Sequence, residues 1–374
     1  VIRTHKLPTF LNRFIVTTMS TNKRTKPNQQ RILVTGSSGY LGQHVLKALT
    51  QHDNFDITAA YGSLASFASD TTSQIACGSS STLNLVDQTV LDCSSETSVK
   101  TFFSDRRFDV VIHLAAMSSP FACEKDPKQA FATNCPLPLL DAVSDKDSDG
   151  SDEGSKTLFI FLSTDQIYDG FHAPYTEKDK ASPINEYGKS KLAFEGHLIN
   201  CHPSVRPIIL RSSLILGGVT PLGTCRKQTF FQFVQDRLSN LQDTDFYTNE
   251  YRNVVFVDDI VKVISHFVRD HKDGVSDSNT PIETEVYNMG GSDKVSRYDI
   301  AQVVAEVCGL DAKYCKAVER SPPLSASSET LDSDKIIVRS PPDISMDCAK
   351  LEAVTGITML GLKDMVESIF QPHE

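Results

Sequence analysis

"RILVTGSSGYLGQHVLKAL", residues 31–49, decides the fold. A short apolar run at 32–34 stops at Gly36, and Leu41, Val45, Leu46 and Leu49 then recur at helical spacing. Between run and stripe, Gly36, Gly39 and Gly42 stand three apart. Such glycines alone are weak evidence, and a packing turn is the plainer explanation. Their place between a strand and a helix start gives them weight as a dinucleotide-binding turn. In that reading Gly36 permits the turn, Gly39 lets the backbone approach a pyrophosphate, and Gly42 lets helix and strand pack closely. The helix N-terminus, with Ser38, Tyr40 and Leu41 in the same turn, then offers N–H groups and a positive dipole end to the phosphates.

The alternation continues outward. Strand candidates are "RILVTG" (31–36), "FDITAAY" (55–61), "DVVIHLAAM" (109–117), "TLFIFLST" (157–164), "PIILRSS" (207–213) and "VYNMGG" (286–291). Near-continuous apolar strands imply burial on both faces, as in a parallel sheet covered by helices. The expected fold is α/β, a Rossmann-type doubly wound parallel sheet with a smaller C-terminal α/β substrate domain. The expected division is a basic tail at 1–30, a dinucleotide domain at 31–213 and a substrate region at 214–374, with 251–291 returning to the core. In that last region "FFQFVQDRLSNL" and "SRYDIAQVVAEVCGL" read as helices, placed over the C-terminal edge of the sheet where open α/β sheets bind ligands. Residues 62–82, 144–156 and 269–280 read as loops, the second an acidic run that is more simply a solvated insertion than a docking segment.

Composition narrows the function classes. The 374 residues are 40% hydrophobic and 22% charged, with net charge −10. An acidic protein repels nucleic-acid backbones and anionic membranes, so neither is an expected partner. No apolar run approaches the roughly 20 residues that span a bilayer. The nine cysteines show neither a CxxC pair nor zinc spacing; reduced thiols, a cytoplasmic location and no metal are expected. Residues 1–52 hold no Asp or Glu, and residues 1–31 carry seven Lys or Arg. That pattern resembles an organellar transit segment; a disordered tail, or a true start at Met19, is the simpler reading.

The choice of nicotinamide cofactor, NADP or NAD, turns on the end of the second strand. An NAD site usually places an acid there for the ribose hydroxyls. Here it reads "AAYGSLAS", without acid or base. Ser63 and Ser66 suit either form, and the missing carboxylate tilts the choice to NADP. Asp92, in "TVLDCSS", is placed by order to touch the adenine or to cap a helix.

A second stretch, "INEYGKSKLAFEG" (184–196), sets Tyr187 and Lys191 four apart at a helix start. Residues at this spacing share a helix face. A neighbouring ammonium is expected to lower the phenol pKa, so that Tyr187 exchanges a proton with a carbonyl or carbinol oxygen. "FLSTDQIYDG" (161–170) ends a buried strand in Ser163 and Thr164, hydroxyls aimed at the same crevice.

Together these segments resemble the extended short-chain dehydrogenase/reductase family: the glycine turn, "HLAA" (113–116), Thr164 and YxxxK occur in its order. "STDQIYDG…PYTEKDKASPINEYGKSK" (163–191), "YRNVVFVDDI" (251–260) and "SPPDISMDCAKLE" (340–352) resemble its dTDP-4-dehydrorhamnose reductase group, which also contains the regulatory β subunit of methionine adenosyltransferase. The resemblance implies that Thr164 bonds the substrate carbonyl, Tyr187 supplies the proton, and Lys191 tunes Tyr187 and binds the ribose. It also implies that Leu114, Ala115, Ala116, Asn134 and Ser212 line the cofactor. Ser118, Asp165, Gln166 and Arg252 fall on the substrate side, with Arg252 meeting a nucleotide-sugar phosphate or, alternatively, pairing on the surface near Asp258 and Asp259. His113 reads as structural, and Asp165 more simply as a turn cap than a base.

Two functions are then expected. One is NAD(P)H-dependent reduction of a nucleotide-activated 4-keto-deoxysugar. The other is a dinucleotide-binding regulatory subunit partnered with methionine adenosyltransferase. A homodimer fits either. An epimerase or dehydratase lacks an obvious extra acid or base in "STDQ".

Overall fold

The computed structural model describes residues 29–62, 85–145, 156–201, 203–223, 225, 228–273, 284–320 and 336–370. Ser63, Ser66, most of the loops at 62–82 and 144–156, and residues 1–28 lie outside these.

Seven strands form one sheet: β1 (Gln30–Thr35), β2 (Phe55–Tyr61), β3 (Leu85–Val90), β4 (Val110–His113), β5 (Thr157–Thr164), β6 (Val205–Ser212) and β7 (Glu285–Met289). Their order is β7-β6-β5-β4-β1-β2-β3, and every neighbouring pair is parallel. This is the doubly wound Rossmann order extended by a seventh strand. The strand order reverses between β1 and β4, and that reversal opens the ligand crevice.

Side-chain alternation explains why both faces are covered. Ile32, Val34, Ile112, Leu158, Ile160, Ile208 and Leu210 join one core with Val45, Leu46 and Leu49 of α1 (Tyr40–Leu49). Their neighbours Leu33, Val111, Phe159, Phe161 and Ile209 join a second core on the other face. There they meet α2 (Glu96–Phe103), α5 (Leu137–Ser144) and α6 (Glu186–Ile199). The short α3 (Pro120–Lys125) and α4 (Pro127–Asn134) join β4 to α5. Each fully buried Leu, Ile or Phe contributes about 1.5–3 kcal/mol of transfer free energy, so the two faces together set the fold.

The rest of the chain packs at the sheet's C-terminal edge and against α1. It includes α7 (Phe230–Ser239), α8 (Val257–Asp273), α9 (Arg297–Val307), α10 (Ala349–Thr355) and α11 (Leu362–Phe370). Both segments read as helices are helical, and capping boxes start α7 at Thr229 and α9 at Ser296. Two expectations change. β3 was not among the strand candidates, and residues 269–273, read as loop, continue α8.

Candidate active site

The glycine turn leaves β1 with geometry that excludes other residues. Gly36 has φ +66°, and a Cβ there would stand 2.6 Å from the Ala115 amide nitrogen. A Cβ on Gly42 would stand 2.3 Å from the Gly36 carbonyl oxygen, so α1 can lie this close to the turn only with glycine. Gly39 is the N-cap of α1, no side chain caps it, and the first turn holds no acid. That N-terminus is free to receive an anion, as a pyrophosphate requires. Tyr40 turns its hydroxyl away to donate to the Gly218 carbonyl at 2.9 Å. Opposite the turn, Leu114, Ala115 and Ala116 leave β4 half-buried, and Ala115 N donates to Thr35 Oγ1 at 3.4 Å. A nicotinamide dinucleotide fits this cradle: its helix start is uncapped, and among the described residues no acid stands in the first turn of α1.

Parallel register brings the second group of residues to the same edge. Thr164 pairs with Ser212 at the ends of β5 and β6, and Ser163 with Arg211. The Thr164 hydroxyl accepts from Gln166 N at 3.2 Å and donates to Asp165 Oδ1 at 3.3 Å. Thr164, not Asp165, therefore caps the following turn. The Asp165 carboxylate instead lies buried, accepting from Ser213 Oγ at 2.8 Å. Burial raises its pKa, and Arg252 is the first of the groups that pull it back.

Tyr187 stands in the first turn of α6, which Asn185 caps. Gly188 explains how the phenol reaches Thr164: a Cβ there would stand 2.1 Å from the Gln166 carbonyl oxygen, so α6 lies directly on the turn after β5. The Tyr187 phenol is pushed well above its ordinary value by burial, and a hydrogen bond with Thr164 pulls it only partly back. Lys191 is not what sets it. Its ammonium lies over the Phe161 ring at 4.3 Å and is itself lowered to about 7 by burial, opposed by Glu195. The expectation of a phenolate stabilised by its lysine is thus overturned. Sharing a helix face does not ensure a low-dielectric ion pair, and desolvation wins.

Other expected residues take varied places. Asn134 is buried and accepts from Met117 N at 2.8 Å while donating to Ser190 Oγ at 2.9 Å, so it braces the loop after β4 against α6. Gln166 accepts from Asn185 at 2.9 Å and fixes the start of α6. Ser118 is exposed just before α3, and Ser212 is buried with its hydroxyl on the Ser213 carbonyl. Asp92 is exposed and bonds Ser94; the cap of α2 is Ser95. His113 is buried and shares a 2.8 Å hydrogen bond with Thr35, and burial together with Lys191 holds its pKa at about 3. It is structural, as expected.

Arg252 is not on the surface. It is 4% exposed, while Asp258 pairs with His44 and Asp259 with Lys262. Its Nε and Nη2 are buried without a hydrogen-bond partner. Asp165 and Arg297 lie within its electrostatic reach, and Arg297 in turn feels Glu250 and Arg320, which pair at 2.7 Å. Sequence reasoning passed over Arg297, Glu250 and Arg320, which offer no local motif. It also passed over Glu195 and Arg211, although a charge inside the apolar run "PIILRSS" was a signal.

Among the described residues no cluster of His, Cys, Asp or Glu could hold a metal, and no helix is long and apolar enough to cross a membrane.

The doubly wound sheet with its glycine turn and the YxxxK spacing on α6 mark the chain as one of the extended short-chain dehydrogenase/reductase class. Residues 30–373 match the RmlD substrate binding domain family, and the chain belongs to it. It is 24% identical to methionine adenosyltransferase 2 subunit beta of Pongo abelii over 330 residues, 88% of this chain and 83% of that protein. It is 31% identical to dTDP-4-dehydrorhamnose reductase of Sinorhizobium fredii over 125 residues, 33% of this chain and 39% of that one. Among solved structures, dTDP-4-dehydrorhamnose reductase of Bacillus anthracis, in complex with NADP, superposes with a TM-score of 0.66. Its identity is 16%, over 92% of this chain and 100% of that chain.

Proposed function

We propose that this protein is a nicotinamide-dinucleotide-dependent reductase acting on the 4-keto group of a nucleotide-activated deoxysugar. The observation that carries the reading is the meeting of the Thr164 and Tyr187 hydroxyls at the end of β5, beside the glycine turn. A bound dinucleotide supplies the hydride. Thr164 Oγ1 holds the substrate carbonyl oxygen, and Tyr187 Oη delivers the proton to it. The phenol is protonated at neutral pH, as a proton donor must be, while burial makes it a weaker acid than a free tyrosine and so works against the transfer. Lys191 serves the nicotinamide ribose. Arg252, with buried N–H groups that have no partner, suits the diphosphate of the substrate. NADP is the better fit, because β2 ends in Tyr61 and Gly62 with no acid to repel a 2′-phosphate. Residues 31–213 would carry the dinucleotide and most of 214–374 the sugar.

The test is NADPH oxidation with dTDP-4-dehydrorhamnose, wild type against Tyr187→Phe. Loss of about 10²–10⁴-fold in kcat on removing the acid is expected, with dinucleotide affinity held within a few-fold. Equal rates in both proteins would sink the reading.

One observation favours a second reading. The match to the methionine adenosyltransferase subunit covers 83% of that protein, against 39% for the reductase. A regulatory subunit would bind the dinucleotide and associate with a methionine adenosyltransferase catalytic subunit at micromolar concentration or tighter, with Tyr187→Phe without effect. No association at that concentration would remove it.

A further inference from the structure

Glu195 and Arg211 are a buried ion pair that neither reading uses. Glu195 is fully buried and Arg211 is 6% exposed. Arg211 Nη2 lies 2.8 Å from Glu195 Oε2, and its Nε reaches the two carboxylate oxygens at 3.3 and 3.2 Å. Ser163 Oγ donates to the same carboxylate in a short bond. Arg211 Nη1 also donates to Tyr168 Oη at 3.0 Å, and that hydroxyl donates to Asn288 at 2.8 Å. The carboxylate comes from α6, while Ser163 and Arg211 are register partners on β5 and β6. One carboxylate thus ties α6 to the two strands whose ends carry Thr164 and Ser212.

Glu195 lies one turn beyond Lys191 on the same helix. Lys191 faces His113 of β4, Cys123 of α3, the Phe161 ring of β5 and Glu195 of its own helix. Among these Glu195 is the strongest influence favouring the ammonium. A buried pair of this kind often contributes little net stability, because desolvation of both charges offsets their attraction. Each member still acts on a third charge in the same low-dielectric space, with the two fields partly cancelling.

We infer that the Glu195–Arg211 pair is a positioning device for Lys191: it docks the helix that carries the lysine and governs the charge the lysine presents to the dinucleotide. The inference rests on the reading that Lys191 serves that dinucleotide. The two partners act with opposite sign. Glu195 favours the ammonium, and Arg211 draws part of that carboxylate's field to itself. Removing Glu195 takes away the carboxylate that favours the Lys191 ammonium and leaves the Arg211 guanidinium unpaired; removing Arg211 leaves that carboxylate unshared.

The experiment is a carbon-13 NMR titration of the full chain labelled at lysine Cε, with the Lys191 signal assigned by its loss in Lys191→Met. Wild type should titrate near 7. Glu195→Gln should move that titration down by about one unit or more, and Arg211→Met should move it up by a smaller amount. Arg211→Lys should stay close to wild type. A merely structural pair would not produce shifts of opposite sign. Should Glu195→Gln fail to fold, the charge-balanced Glu195→Gln/Arg211→Met double variant takes its place, and the Lys191 titration should still fall below wild type. Unchanged Lys191 titration in the folded variants, or shifts of the same sign, overturns the inference. Absence of keto-sugar turnover in wild type bears on the reductase reading alone, since the titration needs no substrate.

Discussion

The two halves of the crevice at the sheet edge are built by opposite means. At the ends of β1 and β4 the cradle is backbone: three glycines, an uncapped helix start and the Leu114–Ala115 turn, with no charged side chain bonded within it. At the ends of β5 and β6 the wall is charge: Asp165, Lys191, Glu195, Arg211 and Arg252 are all 6% exposed or less. A backbone site depends on close approach and so fails sterically. A charged site depends on partners contributed from distant segments and so fails electrostatically. The first should be intolerant of added volume and indifferent to pH; the second should be the reverse.

The largest expected effect is steric. Gly42→Ala places a methyl 2.3 Å from the Gly36 carbonyl oxygen and 2.8 Å from Ser37 Cα, both backbone atoms that cannot rotate away. Chemical denaturation should show a loss of about 3 kcal/mol or more, the upper range for overpacking, and calorimetry should show dinucleotide binding weakened more than tenfold. A variant with wild-type stability and affinity would mean that α1 does not lie against the turn as described.

The same contrast explains what could be read in advance. The glycine turn was legible because strand, turn and helix are contiguous, and the alternation of Ile32, Leu33 and Val34 already encodes a sheet buried on both faces. β3 was not. It is an edge strand whose Asp87, Gln88 and Thr89 stay partly exposed, with Val90 56% exposed, so it lacks the apolar run that marked the others. Tyr187, Lys191 and Thr164 were legible as a group, but the pKa direction of Tyr187 was not. Spacing along a helix carries no information on how deeply the fold desolvates a phenol. The surface pairing offered as an alternative for Arg252 does not form, because the nearby Asp258 and Asp259 turn into α8 toward His44 and Lys262.

Arg252 tests the charged wall with a change of opposite sign to Gly42→Ala. Two of its nitrogens are buried without a partner. Leaving a buried polar group unsatisfied costs about 1–3 kcal/mol. Arg252→Met keeps the length and removes the donors, although it also deprives Asp165 of the cation that most favours its charge. The ligand-free protein should therefore gain about 1 kcal/mol in denaturant stability toward the acid side, where the raised Asp165 pKa favours the neutral carboxyl, while affinity for a nucleoside diphosphate should drop at least tenfold. A variant less stable than wild type, with diphosphate affinity intact, would make the arginine a purely structural ion.

The smallest effect lies on the border between the halves. His113 hydrogen-bonds Thr35 under the glycine turn, yet its pKa is held at about 3 by burial and by Lys191 from the charged side. In the unfolded chain a histidine titrates near 6.5, so above that pH it is neutral in both states and has no linked effect on stability. As pH falls below about 6.5 the unfolded chain takes up a proton that the folded protein refuses until about 3, and stability drops across that window by about 1.4 kcal/mol per unit. At pH 5.5 the loss from this group is therefore about 1.4 kcal/mol. Buried carboxylates add their own slope, so the informative quantity is the difference from His113→Asn. That variant is less stable at pH 8 for lack of ring packing, but its stability should fall by up to about 1.4 kcal/mol less per pH unit between pH 6 and pH 4. Identical slopes in the two proteins would show that residue 113 takes up its proton in the folded state, and that the backbone half of the crevice is wetter than its packing against Phe159, Phe161 and Phe194 implies.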